Sequence, residues 1–384
     1  MAKKYTVGLN FFFDNHTNSG VVNYIYNIIS ALKTLEEEKK PSIIVFYSEN
    51  APIDYLKQIE YPYIEFIHFI PYPKIIILRK VNSLLKKLLG RDLYKERKYL
   101  NKIDCLYPYL EFTDHHFSTA KNKIHWLVDF NNRAFPDHYA DKGEVMKNYQ
   151  EKITHTKDRV VLSSNSLLDE LKMYYPDYTC DIKILSFASS LQVKPPKEDL
   201  FKKYDIQEGL YFMSPNQFWE HKNQSVVLEA LSILKKERPD KNYQVVFTGS
   251  LEVNRGKGLY IQKLQELVSS HNLTENIRFL GVLERNEQLF LMSKSMALIQ
   301  PSLYEGWSTL VEEAKALNKW IILSDIPVHR EQIQHYCDFF NPKISEELAE
   351  RMMNIENKSR ANIPIPYNYN IEKYGRDLIN AFSF

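Results

Sequence analysis

The sequence has few cysteines and few glycines, and it lacks any long hydrophobic run. Its three cysteines, Cys105, Cys180 and Cys337, stand far apart, which excludes a disulfide framework and a zinc motif. No apolar stretch approaches the ~20 residues needed to cross a bilayer, and no apolar core of a secretory signal follows the first residues. We therefore expect a soluble chain in a reducing cytoplasm.

An excess of charge of either sign is also lacking. Fifty basic side chains face 48 acidic ones, for a formal net charge of +2. This balance argues against a general nucleic-acid-binding protein. The hydrophobic fraction of 44% and the charged fraction of 26% are typical of a globular protein. A chain of 384 residues is too long for one compact core, so two domains are expected.

Short β-type runs alternate with helical stretches, a pattern that predicts an α/β fold with parallel, doubly wound sheets. A proline-rich polar stretch at 192–197 suits a linker between two such series. The predicted strands are 5–13, 42–47, 105–107, 125–128 and 160–163 before the linker, and 210–214, 244–249, 277–280, 297–300 and 320–324 after it, with helices at 21–32 and 223–238. In such sheets, ligands bind beyond the carboxyl ends of the strands.

The most informative segment is the predicted strand, loop and helix that begin at residue 297. Thr309 with Glu312 three residues later predicts a capping box at the start of the helix. The amides of Trp307, Ser308 and Thr309 would then point into the cleft, where a helix N-terminus favours a phosphate.

Two glutamates flank this predicted helix start. Glu305 precedes the helix and Glu313 lies one turn inside it. Carboxylates make strong hydrogen bonds to sugar hydroxyls, so this pair fits a sugar- or ribose-binding site. On the spacing alone, two ordinary surface charges beside a capped helix remain an open alternative.

The wider context resembles a known family. The run Pro301-Ser302-Leu303-Tyr304-Glu305-Gly306-Trp307-Ser308, with Glu313 in register, is similar to the donor-site signature of retaining glycosyltransferases of the GT-B fold, family 4. That signature is Pro-Ser-x-x-Glu-Gly-Phe-Gly with a second glutamate eight positions after the first. Upstream, Phe279-Leu280-Gly281, followed by Val282 and Leu283, resembles the Phe-Leu-Gly element of the family, and His221-Lys222-Asn223 resembles its phosphate-binding lysine at a helix start.

The first half of the chain resembles the family less closely. Ser19-Gly20-Val21-Val22 is similar to its Gly-rich turn, and Asp129 stands where the family ends a strand with a His-Asp element. Two positions depart from the pattern. Asn216 replaces an arginine that usually contacts the diphosphate, and Val128 replaces the histidine that many members carry before the aspartate.

The resemblance implies two Rossmann-like domains facing across a cleft. They would be an acceptor-side domain over 1–190, a linker over 191–207 and a nucleotide-sugar domain over 208–366, with a helix at 367–384 returning to the first domain. It implies a metal-independent hexosyltransferase that uses a UDP- or GDP-sugar as co-substrate and needs no other cofactor. The implied acceptor is a glycan or a lipid-linked glycan in polysaccharide synthesis.

Site residues follow from the same resemblance. Asp129, Lys222 and Glu305 would be catalytic, with Lys222 and the helix amides stabilising the departing diphosphate. The expected donor-binding residues are Gly20, Asn216, His221, Lys222, Val282, Leu283, Glu305, Gly306, Trp307, Ser308, Thr309 and Glu313.

Two alternatives remain open at the level of the sequence. Asn216 and Val128 are also compatible with a catalytically weak protein that binds nucleotide or glycan, and the fold is compatible with a sugar-nucleotide hydrolase or epimerase. The basic, partly amphipathic segment 74–102 is either a solvated helix face or a surface for peripheral contact with an anionic membrane.

Overall fold

The structure is a computed structural model that describes residues 4–12, 19–68, 81, 84–85, 97–109, 117, 120–136, 141–251, 257–358 and 366–384. Most of the basic segment 74–102 therefore lies outside the described residues. Within the described residues, no helix has both the length and the apolar character required to cross a membrane.

The first half of the chain forms a seven-stranded parallel sheet in the order β3-β2-β1-β4-β5-β6-β7. Its strands are β1 Thr6–Phe11, β2 Ser42–Tyr47, β3 Ile64–His68, β4 Cys105–Tyr109, β5 Lys123–Leu127, β6 Arg159–Leu162 and β7 Asp181–Ile184. The central strands are buried on both faces, which explains their nearly continuous apolar sequences.

The second half forms a six-stranded parallel sheet in the order β10-β9-β8-β11-β12-β13. Its strands are β8 Tyr211–Pro215, β9 Gln244–Thr248, β10 Ile277–Phe279, β11 Leu298–Gln300, β12 Ile321–Ser324 and β13 Cys337–Phe340. The predicted architecture of two Rossmann-like domains is thus confirmed.

Helices connect the strands of both sheets. In chain order they are α1 Ser19–Lys33, α2 Ile53–Lys57, α3 Arg97–Leu100, α4 Asn131–Ala134, α5 Asp141–Thr154, α6 Asn165–Tyr174, α7 Leu200–Tyr204, α8 Gln224–Glu237, α9 Lys257–Ser270, α10 Arg285–Lys294, α11 Thr309–Ala316, α12 Pro327–Gln332, α13 Ser345–Met353 and α14 Asn368–Phe382. Helix α7 lies inside the stretch predicted as a linker.

Each predicted strand is present, with ends that differ by a few residues, whereas β3, β7 and β13 were not predicted. All three lie at sheet edges. They contain polar residues and are only partly buried. An edge strand has a solvated side, so its sequence loses the continuous apolar character of a central strand.

The last helix, α14, packs on α1 of the first domain. Tyr374 and Leu378 are buried in the core of that domain. Gly375 permits the contact, because a Cβ at this position would lie 2.5 Å from the carbonyl oxygen of Ala31. The chain therefore crosses between the domains twice, and the carboxyl ends of both sheets provide the loops described next.

Candidate active site

Lys222 and Glu305 form an ion pair that joins two loops of the second domain. The Nζ of Lys222 lies 2.5 Å from Oε1 of Glu305, and both side chains are largely buried. Lys222 ends a 3₁₀ turn after β8, and the backbone N–H of Leu303 donates to the carbonyl of His221 at 2.7 Å, which fixes the two loops together. Burial alone would raise the pKa of Glu305, but the ammonium of Lys222 holds this pKa below its ordinary value.

The side-chain amides of Gln300 and Asn216 hold the Glu305 carboxylate in place. The Nε2 of Gln300 donates to Glu305 at 2.7 Å and to Oγ of Ser308 at 3.1 Å. Asn216, at the position where the family usually has arginine, donates to Oε1 of Gln300 at 2.8 Å. Asn216 is thus a buried support for the carboxylate network, and it brings no positive charge to the site.

The start of α11 differs from the sequence prediction. The N-cap is Ser308, whose extended backbone precedes the helix and whose Oγ accepts from the backbone N–H of Val311. Thr309 is already helical, so the predicted capping box with Glu312 is wrong. The Glu312 carboxylate instead accepts from Lys315, three residues later on the same helix, at 2.7 Å and from Gln332 at 2.9 Å. Gln332 lies 20 positions away, so a local sequence pattern does not reveal it.

The predicted set of free amides at this helix start is also only partly present. The backbone N–H of Ser308 donates to Oε1 of Gln332 at 3.1 Å and is therefore occupied. The side chain of Trp307 packs against the core of the first domain, and its Nε1 donates to the carbonyl of Phe187 at 3.1 Å. Trp307 thus joins the two domains at the base of the cleft.

The second glutamate, Glu313, is buried and forms an ion pair with Arg285 at the start of α10. Tyr55 of the first domain interacts electrostatically with this pair, and its ring stacks on Tyr26 with centroids 4.6 Å apart. Arg285 and Tyr55 were not identified from the sequence. They lie far from Glu313 along the chain, so no local spacing connects them.

Asp129, the predicted acceptor-side carboxylate, follows β5 and reaches the same cleft. Its Oδ1 accepts from the backbone N–H of Asn131 at 3.0 Å. Burial and the nearby charge of Glu305 raise its pKa, while the Asn131 amide and Lys222 oppose that rise. Gly306 brings the two loops into contact, since a Cβ there would lie 2.3 Å from the carbonyl oxygen of Val128 and 3.1 Å from Cβ of Asp129.

The remaining predicted donor residues differ in how exposed they are. Gly20 is exposed in the first turn of α1, which begins two residues earlier than predicted. Among the described residues outside its own helix backbone, no atom lies within 4 Å of a Cβ placed on it. Val282 is 73% exposed, whereas Leu283 packs partly against the core of the second domain. His221 is buried, with Nε2 at 3.3 Å from Nδ2 of Asn131.

A buried histidine that no sequence pattern indicated, His329, interacts electrostatically with Glu305. His329 has no exposed surface; its Nδ1 lies 2.9 Å from the carbonyl oxygen of Ser324, and its Nε2 has no hydrogen-bond partner among the described residues. Burial lowers its pKa below 6.5, although Glu305 acts in the opposite direction. The folded protein therefore favours the neutral imidazole.

Because the pKa of His329 differs between the folded and unfolded states, we expect the free energy of unfolding to depend on pH. Because its folded-state pKa is depressed, its contribution is fully present above about pH 6.5 and is lost as the pH falls toward the folded-state value. The variant H329N should lose less stability than the wild type between pH 7 and pH 5.5, by at most about 1.4 kcal/mol per pH unit. Urea unfolding at both pH values measures the difference, and equal losses in the two proteins would contradict the assignment.

Among the described residues, no group of three histidine, cysteine, aspartate or glutamate side chains is arranged to hold a metal ion. Four charged side chains of the second domain form two ion pairs, Lys222–Glu305 and Arg285–Glu313. A lysine ammonium has three N–H donors, so Lys222 can keep Glu305 and still donate to an anionic ligand.

The order of these elements matches a family description over most of the second domain. Residues 196–377 match Glycosyl transferases group 1. This segment is similar to that family over slightly less than half of the chain. It contains the whole of the Lys222, Glu305 and Glu313 arrangement, together with Arg285 and His329.

One curated relative of this chain is the O-antigen chain mannosyltransferase RfbU of Salmonella typhimurium, with 29% identity over 160 residues. The match spans 42% of this chain and 42% of the relative, less than half the length of each.

Solved structures extend the likeness to the whole chain. A glycosyltransferase from Rickettsia africae superimposes with a TM-score of 0.61 at 18% identity, covering 99% of this chain and 94% of that one. HepE of Anabaena, solved with UDP and glucose, gives a TM-score of 0.67 at 14% identity, covering 97% and 94%. At these low sequence identities, the comparison shows similarity of fold alone. The two domains of this chain together form a GT-B fold.

Proposed function

We propose that this protein is a retaining glycosyltransferase that moves a hexose from a nucleotide-diphosphate sugar to a glycan or lipid-linked glycan during cell-surface polysaccharide synthesis. The observation that carries the proposal is the buried Lys222–Glu305 pair of the second domain, which interacts electrostatically with Asp129 of the first domain. The match of residues 196–377 to the group 1 family and the name of the mannosyltransferase relative support it.

In the proposed complex, Lys222 binds the diphosphate and stabilises the charge that develops when the sugar leaves. Fixed charges in a water-poor cleft are effective here, because they do not reorganise during the reaction. Glu305 accepts hydrogen bonds from the donor sugar and is held in place by Gln300. Glu313 binds the ribose hydroxyls, and its ion pair with Arg285 holds this buried carboxylate in position.

Retention of configuration follows in this proposal from attack on the face that the nucleotide leaves. The acceptor hydroxyl adds to the anomeric carbon, the bond to the diphosphate breaks, and the hydroxyl proton passes to the departing diphosphate. Asp129 lies on the opposite side of the cleft from Lys222 and orients the donor sugar or the acceptor. No step requires a metal ion in this scheme.

The proposal is tested with a panel of UDP-, GDP- and ADP-sugars and glycan acceptors. We expect transfer from one donor class, with a product whose anomeric configuration matches that of the donor by NMR. Binding without turnover would favour the catalytically weak alternative, and release of free sugar without acceptor preference would favour a hydrolase. An inverted product would contradict the retaining mechanism.

Peripheral contact with an anionic membrane through segment 74–102 remains a separate proposal. It would bring a lipid-linked acceptor to the cleft, and its support is the basic, amphipathic sequence. Flotation with anionic vesicles measures it, and charge reversal at Lys86, Lys87 and Arg91 should weaken the binding. Failure of the parent protein to bind would exclude this contact.

A further inference from the structure

Tyr304 of the second domain forms two hydrogen bonds with the first domain. Its hydroxyl accepts from the backbone N–H of Phe130 at 2.8 Å and donates to Oε2 of Glu170 on α6 at 2.7 Å. The phenol thus uses both its acceptor and its donor capacity on residues more than 130 positions away in the sequence. Tyr304 directly precedes Glu305 in the loop between β11 and α11, residues 301–308, which we call the donor loop. The donor loop is therefore itself hydrogen-bonded to the first domain.

These bonds hold the backbone next to Asp129. Phe130 directly follows Asp129, and the peptide N–H that Tyr304 binds joins these two residues. On the other side, Gly306 approaches the carbonyl oxygen of Val128 closely enough to exclude a Cβ. The segment 128–130 is therefore held at both ends by residues that flank Glu305.

We infer that Tyr304, supported by Glu170, is a positioning residue that orients Asp129 toward the donor loop when the two domains meet. The inference rests on the proposed function, because it gives Asp129 a role in sugar transfer. If so, the contact between the two domains that closes the cleft also orients the carboxylate of Asp129.

The electrostatic surroundings of Tyr304 favour the donor and acceptor roles described for these two hydrogen bonds. Burial and the nearby carboxylates of Asp129 and Glu170 raise the pKa of Tyr304 far above its usual value, so the phenol keeps its proton for Glu170. Burial also raises the pKa of Glu170, while its hydrogen bond from Tyr304 opposes the rise.

A comparison of three variants tests the inference. Y304F removes both hydrogen bonds and keeps the ring, and we expect kcat to fall about 10- to 100-fold, because small misplacements of a reacting group have effects of this size. The KM for the donor should change less than about threefold, since neither hydrogen bond of Tyr304 involves Lys222 or Glu313. E170A should lower kcat similarly, whereas E170Q, which keeps an acceptor oxygen for the phenol, should retain at least about five times the rate of E170A.

Glu331 offers a matched control across the same domain boundary. Its carboxylate accepts from the backbone N–H groups of Asn165 and Ser166 at 2.8 and 3.0 Å and caps α6, away from Asp129. The variant E331Q removes an interdomain acceptor without touching segment 128–130, so kcat should stay within about twofold of the wild type. Equal losses in E331Q and Y304F would show that Tyr304 only joins the domains, and this result would overturn the inference.

A second readout is independent of turnover. The amide of Phe130 should shift in ¹⁵N NMR spectra of Y304F, because its hydrogen-bond acceptor is gone, and E331Q should leave that signal in place. An unchanged Phe130 amide or an unchanged kcat in folded Y304F would overturn the positioning role. Absence of transfer by the wild type with every donor would instead contradict the proposed function itself.

Discussion

Replacing Lys222 with alanine is expected to lower the rate of sugar transfer by about 100- to 1,000-fold, the range found when one fixed donor to a developing negative charge is removed. The structure gives two reasons. The variant K222A loses the cation nearest to Glu305, and it leaves that buried carboxylate without its ionic partner. The rate is measured as kcat with the donor identified in the sugar-nucleotide panel.

A second lysine provides the matched control for this change. Lys358 forms a more exposed ion pair with Asp338, at 3.0 Å, near the amino-terminal ends of the strands of the second sheet. The variant K358A should therefore keep a kcat close to that of the wild type. If K222A transfers sugar as fast as K358A, Lys222 is not the diphosphate-binding group.

Replacing Gly306 with alanine is expected to have the second large effect on kcat, because Gly306 lies where the two domains touch. An alanine Cβ at this position would meet the carbonyl oxygen of Val128 at 2.3 Å and Cβ of Asp129 at 3.1 Å. A backbone carbonyl cannot rotate away as a flexible side chain can, so the loops must separate. We expect G306A to lower kcat by about 100-fold through misplacement of Asp129 relative to Glu305.

The control for G306A is a glycine with a similar steric restriction but a different location. A Cβ on Gly375 would lie 2.5 Å from the carbonyl oxygen of Ala31, between α1 and α14. The variant G375A should lower the thermal unfolding temperature and leave the kcat of the folded fraction near that of the wild type. A normal kcat in G306A would contradict the close contact of the two loops.

The sequence predicted the fold well because buried parallel strands have distinctive apolar runs. Each strand predicted from such a run is present, whereas β3, β7 and β13 at the sheet edges were not predicted. Their partly polar sequences resemble those of loops. The start of α11 was predicted less accurately, because its N-cap is Ser308 instead of Thr309.

The candidate site was predictable where its residues belong to local patterns. Lys222, Glu305 and Glu313 lie in recognisable runs, and the structure brings Lys222 and Glu305 into contact. Arg285 and His329 were missed, because tertiary packing alone brings them to the glutamates.

Tyr304 illustrates the same limit within a recognised motif. It stands in the run that identified the donor loop, yet its partners Phe130 and Glu170 lie in the other domain. A pattern along one segment gives the position of a residue, but the direction of its side chain depends on how two domains meet.

The measurement that tests the central claim most directly is a crystal structure of the protein with a nucleoside diphosphate. We predict the diphosphate within hydrogen-bond distance of Nζ of Lys222 and the ribose hydroxyls on the carboxylate of Glu313, with Glu305 facing the vacant sugar position. A nucleotide bound elsewhere, or bound without contact to Lys222 and Glu313, would contradict the account.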